Sequence, residues 1–282
     1  MKKQFILAGG GLILLLSLFF FGKTVEKKPE IQTPATAQPS PSFSFDNYLQ
    51  TAKQHLSLPQ QTYVLALENN ISRGDVQDQQ LKDYSALASF WKDSVHDHTI
   101  YDFYIAKSAK LVKSEKTLTF AAQLMLTDLQ REGDPDKKGW VAEQAIELFE
   151  QAIELDPNND SLKVGLGSCY VYGKGMAGNA QETMKGIQQL LQVVRRDSTN
   201  MQAQLVLGIG GVISSQFDKA IPRLTTVVTN EPNNAEAVSW LADAYAGKGD
   251  KENAVKWYEI SKRLVNNPNY SKEVDERIKM MQ

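Results

Sequence analysis

The chain has 282 residues, 42% of them hydrophobic and 23% charged, with 31 basic and 33 acidic side chains and a formal net charge of −2. That balance removes the electrostatic case for nucleic acid, because phosphate binding needs a concentrated basic face. With one cysteine, Cys169, an intramolecular disulfide is excluded as well.

In chain order, Lys2 and Lys3 precede an uncharged stretch over residues 5–22 that contains the run from Leu12 to Phe21. About eighteen residues at ~1.5 Å rise give ~27 Å, the short end for crossing a hydrocarbon core. No small-x-small cleavage site comes directly after it and no lipobox cysteine is present, so the stretch reads as an uncleaved transmembrane signal anchor behind a cytoplasmic stub, residues 1–4. An apolar segment behind two lysines exports the chain on its C-terminal side, although Lys23, Lys27 and Lys28 flank its far end. The expected location is a bacterial inner membrane, single-pass, with the C-terminal domain periplasmic. Residues 23–44, with Pro29, Pro34, Pro39 and Pro41, read as a disordered tether reaching roughly 60 Å.

Beyond the tether the pattern is helical throughout. Residues 45–56 and 59–71 predict short capping helices. Residues 81–95 and 100–113 predict a hairpin, with Tyr84, Leu87, Ala88 and Trp91 on one face of the first helix and Phe103, Tyr104, Ala106 and Ala109 on one face of the second. Residues 116–131 and 139–155 predict a second hairpin joined by a polar connection at 132–138. In its second helix Ala145, Ile146, Phe149, Ala152 and Ile153 share one face. Pro157 stops that helix, and Asp160 can cap the next. The unit from Asp160 has Leu166, Gly167 and Tyr170, a lengthened turn at 172–179, and a second helix at 180–196 with Leu190 and Val193. Residues 271–281 predict a final capping helix, with Val274, Ile278 and Met281 on one side.

The strongest pattern is a period of 34 positions from Met201 to Ala235. Leu207, Gly208, Ala220, Leu224 and Val227 return as Leu241, Ala242, Ala254, Tyr258 and Ser261, while Pro232 returns slightly late as Pro268. This resembles the tetratricopeptide repeat (TPR) family, in its membrane-anchored bacterial envelope type. The resemblance implies an all-α solenoid (superhelix) of helical hairpins behind a single N-terminal transmembrane helix. Residues 45–115 would be a degenerate part of the array, 116–268 its repeats and 269–282 its cap. It also implies a protein-binding groove lined by the first helix of each repeat. The family's groove offsets fall on Ser161, Val164, Ser168, Val171 and Tyr172, then on Gln202, Leu205, Ile209, Val212 and Ile213, then on Glu236, Ser239, Asp243 and Ala246. The groove either takes a hydrophobic helix or extended peptide from a partner, or is filled by the chain's own N-terminal helices. It lacks the Lys/Arg clamp of TPRs that hold chaperone C-termini.

The residues offer no chemistry beside this. Cys169 sits in a first helix and reads as an inert buried thiol. His96 and His98 have neither a cysteine nor a third histidine near them in sequence, and read as a polar turn. Gly173-Lys174 fails as a phosphate loop, because Gly175 stands where Ser or Thr is needed and no strand precedes it. Gly210 and Gly211 exceed what helix pairing needs and clear space for a ligand backbone or a neighbouring helix. Glu147, Glu150 and Glu154 are a solvated face. The expectation is a non-enzymatic membrane-anchored adaptor that binds proteins in the bacterial envelope, without cofactor or metal. The alternative is a self-associating structural envelope protein with no external ligand.

Overall fold

A computed structural model describes residues 43–74 and 76–281, so the predicted stub, anchor and nearly all of the tether lie outside the described residues. Among the described residues no helix is long and apolar enough to cross a membrane. Those residues form thirteen α-helices and no strand.

Two helices lead in, α1 (Phe45–Gln54) and α2 (Leu58–Arg73). Five hairpins come next: α3 (Gln77–Ser89) with α4 (His98–Val112), α5 (Glu115–Arg131) with α6 (Pro135–Leu155), α7 (Asp160–Cys169) with α8 (Ala180–Arg196), α9 (Met201–Ile213) with α10 (Phe217–Asn230), and α11 (Ala235–Lys248) with α12 (Lys251–Val265). Helix α13 (Pro268–Met281) closes the array. The repeated start signal is an asparagine: the Asn159, Asn200 and Asn234 side chains accept from the backbone N–H of Ser161, Ala203 and Ala237. Each satisfies a donor that the first turn leaves without an intrahelical partner.

Several helices run longer than their sequence pattern predicts. Helix α6 starts inside the expected connection at 132–138, because Asp134 accepts from Asp136 and Lys137 N–H at 2.9 and 3.1 Å and Pro135 takes a position that needs no N–H. Helix α13 starts at Pro268 for the same reason, with Asn267 accepting from Asn269 N–H at 2.9 Å. The expected long turn at 172–179 is half helical: α7 continues as a π-helical turn, Tyr170–Gly175, which absorbs extra residues without ending the helix. A like turn, Phe90–Val95, extends α3.

One continuous core runs from Ala106 in α4 to Ala244 in α11. Its repeat unit is a small residue in the first helix seating a leucine from the second. A Cβ on Gly167 would lie 2.5 Å from Leu190 Cγ, and one on Gly208 would lie 2.6 Å from Leu224 Cγ. Glycine at these two positions therefore sets how closely each hairpin shuts.

The ends are closed differently. Phe45 of α1 stacks on Trp140 of α6, with centroids 4.5 Å apart and planes 3° apart, and packs on Phe103 of α4 at 4.2 Å. Both partners belong to second helices, so α1 lies against that side of the array. Of the two alternatives for the first-helix groove, filling by α1 is not what these contacts show: the aromatic rings give α1 an apolar seat on the second helices. At the other end α13 places Val274 and Ile278 on Ala242, Ala254 and Tyr258, with charged residues outward.

Candidate functional site

The first helices α5, α7, α9 and α11 stand side by side, and the residues carried over from the repeat pattern sort into three groups. Val164, Ser168, Val171, Tyr172, Leu205 and Ile209 are buried, with Val171 and Ile209 at 0% and Leu205 at 2% exposure. Val212 and Ile213 are half-buried, whereas Ser161, Gln202 and Glu236 are exposed. Ser239 and Asp243 are half-buried and engaged by the closing helices. The Ser239 and Tyr270 hydroxyls lie 2.8 Å apart, and Asp243 accepts from Tyr258 Oη at 2.5 Å and from Arg277 Nη1 at 2.9 Å.

One contact explains why the middle of this face is closed. Tyr172 Oη, within the α7 extension, donates to Glu236 Oε1 of α11 at 2.8 Å and so reaches across α9. Burial and the Glu236 charge push the Tyr172 hydroxyl far above the usual phenol range. The apolar side chains of α9 beneath it are core.

Towards the N-terminus the face opens. A recess of about 290 Å³ is lined by Gln123, Leu126, Thr127 and Gln130 of α5, by Ser161, Val164, Gly165 and Ser168 of α7, and by Asn200 and Gln202 at α9. No charged residue lines it. The structure thus brings Ser161, Val164, Ser168 and Gln202 together and leaves the other predicted residues out. Sequence reasoning missed the α5 wall, whose signal is the spacing Gln123, Thr127, Gln130 on one helical stripe. Phe120, one turn earlier on that stripe and outside the recess lining, is 58% exposed. A primary amide carries both donors and an acceptor, the complement of a peptide group.

The remaining candidates have local partners. Cys169 is fully buried, and burial pushes its thiol well up. Lys174 Nζ donates to Glu143 Oε1 at 2.6 Å. His96 ends the α3 extension in the left-handed conformation, with Nδ1 3.1 Å from Lys92 O. Among the described residues no cluster of three or more His, Cys, Asp or Glu is placed to hold a metal ion.

A second cavity, of about 480 Å³, is lined by the buried carboxyl group of Asp102. Asp102 of α4 is 4% exposed, and its Oδ1 has no hydrogen-bond partner among the described residues. Burial first, then the Asp128 carboxylate and Asp97, raise its pKa well above the usual carboxylate range. Tyr48, His96, His98, Arg131, Glu132 and Lys137 complete the charged and titratable lining. The folded state thus keeps a proton that the unfolded chain releases near pH ~4. Stability therefore falls as pH rises from there towards the folded pKa, by up to about 1.4 kcal/mol per pH unit. Thermal melts between pH ~5 and ~8 should show Asp102→Asn with a flatter profile and a higher midpoint at the alkaline end than the parent. Parallel profiles would show that Asp102 does not hold the proton.

The fold and this face define a helical-hairpin repeat protein with an amide-lined recess. The family model "Tetratricopeptide repeat" matches residues 214–268, and a second matches residues 142–159, so the chain carries TPR repeats. Among solved structures, the chain is similar to one titled "Crystal structure of MamA protein", at 19% identity and TM-score 0.46, over 66% of this chain and 92% of that one. Another is titled "Crystal structure of YrrB: a TPR protein with an unusual peptide-binding site", at 16% identity and TM-score 0.45, over 76% of this chain and 97% of that one. No curated protein sequence matches the chain.

Proposed function

We propose that the protein is a non-enzymatic adaptor that holds an extended segment of a partner protein on the face of its first helices. The observation that carries this reading is the uncharged recess spanning α5, α7 and the start of α9. Gln123, Gln130 and Gln202 offer amides to a peptide backbone there, and Phe120 offers an apolar step beside them. Recognition of this kind rests on backbone hydrogen bonds and shape, with no charge pairing. The apolar stretch at residues 5–22 and the proline-rich stretch after it support a single-pass anchor and tether, which would present the array outside a bacterial inner membrane.

Crosslinked co-purification of the full-length protein from native membranes, read by mass spectrometry, tests the reading. A specific envelope protein is expected with the parent. Recovery should be at least tenfold lower, ~1.4 kcal/mol, from a Gln123→Arg, Gln202→Arg variant of unchanged helicity. Equal capture by both places the partner elsewhere on the array, and recovery of the chain alone supports self-association.

A further inference from the structure

The lengthened turn after α7 and the Gly210–Gly211 pair meet at one junction between repeats. There, α8 on one side and α9 and α10 on the other enclose a cavity of about 410 Å³, within the roughly 300–1,000 Å³ range of small-molecule sites. It shares no lining residue with the amide-lined recess. Its walls are mainly apolar, from Met184, Ile187, Leu191, Leu207 and Ile213.

Both glycines contact neighbouring side chains, but with different consequences. A Cβ on Gly211 would lie 3.0 Å from Ala220 Cβ, so this glycine lets α10 approach. A Cβ on Gly210 would lie 2.7 Å from Ile187 Cδ1, the far end of a flexible side chain in the cavity wall. Glycine here holds that wall back.

The polar lining is unequal. The Thr183 hydroxyl donates to Asn179 O at 2.7 Å, the Ser214 hydroxyl to Gly210 O at 2.7 Å, and the Gln216 amide bonds Ser214 Oγ and Lys219 Nζ at 2.9 and 2.7 Å. These groups are committed locally. The charged residues lining the cavity are Lys219 and Arg223, one turn apart on α10, and no carboxylate lines it. Arg223 gives Nη1 to Gln204 Oε1 at 2.7 Å, which uses one of five guanidinium N–H groups. It is partly withdrawn from solvent, and that desolvation lowers its pKa. An extended peptide would bring N–H and C=O groups that these walls do not satisfy, whereas a hydrocarbon chain brings none.

We infer that the cavity binds a single-chain amphiphile with an anionic head, a medium-chain fatty carboxylate, with its tail against Met184, Ile187, Leu191 and Ile213 and its carboxylate on Arg223 and Lys219. The test is photolabelling of the full-length protein in membranes with a diazirine-bearing dodecanoate, with labelled residues mapped by mass spectrometry. Labels are expected on α8 between Met184 and Leu191 and at the end of α9, competed by excess dodecanoate and not by dodecyltrimethylammonium. Gly210→Ala turns Ile187 into the cavity and should reduce labelling at these residues at least tenfold. Helicity should be kept, because alanine is the better helix former. Lys219→Gln with Arg223→Gln, at the rim, should reduce it similarly without touching the apolar wall. Labels spread along the chain, or equal labelling of the double-glutamine variant, overturn the assignment.

Discussion

Aspartate at Leu205 and Ile209 together is expected to destroy the cooperative fold rather than a binding activity. Both side chains lie in the continuous core, at 2% and 0% exposure, under the Tyr172–Glu236 tie. Each replacement gives up packing worth about 2–5 kcal/mol and puts a carboxyl group where nothing pairs with it. The sum is comparable with the whole stability of an ordinary domain, about 5–15 kcal/mol. Far-UV circular dichroism of the double variant should show lost helicity and no sharp melt near the parent's midpoint. Gln202→Arg, one turn earlier and exposed, should melt like the parent. A native melt from the Leu205, Ile209 variant, with partner capture lost, would return these residues to an open groove.

The second large effect is expected at Gly165. A Cβ there would overlap Cζ and Cε1 of Phe149, a bulky ring with 0% exposure. Gly165→Val adds a branched side chain at this contact. Overpacking of this kind costs about 1–3 kcal/mol, at the upper end for a buried ring, and outweighs the helix-propensity gain of under ~1 kcal/mol. The melting midpoint should fall by roughly 4–8 °C at ~2–4 °C per kcal/mol for a chain of this size. Combining it with Phe149→Leu should recover part of that loss, since the two residues share one contact. Gly210→Ala is the contrasting case. Its one close contact is the mobile end of Ile187, with Val171 Cγ2 at an ordinary 3.6 Å, and its midpoint should stay close to the parent's.

These two glycines mark how far the sequence was legible. Both look alike in a helical pattern, and nothing within a few residues distinguishes one facing a bulky buried ring from one facing a pliable chain end. The same holds for the recess. Its α7 and α9 residues, Ser161, Val164, Ser168 and Gln202, are given by repeat offsets. The wall from Gln123 to Gln130 is not, because the offsets carried over from the repeat begin at Ser161.

The sequence by itself determined the hairpins, the 34-residue period and the small residues at which helices meet, and it missed the cap of α7 by one position, Asn159 in place of the expected Asp160. These are local properties, set by helical spacing and by backbone groups satisfied within one turn. Only the tertiary structure decided which stripe meets water. Leu205, Ile209 and Val171 occupy groove offsets yet are core, and Ser239 and Asp243 are engaged by Tyr270, Tyr258 and Arg277. The aromatic seat of α1 on Trp140 and Phe103 was equally out of reach. Burial of a helix face depends on helices one or two repeats away, and periodicity within a helix carries no information about that distance.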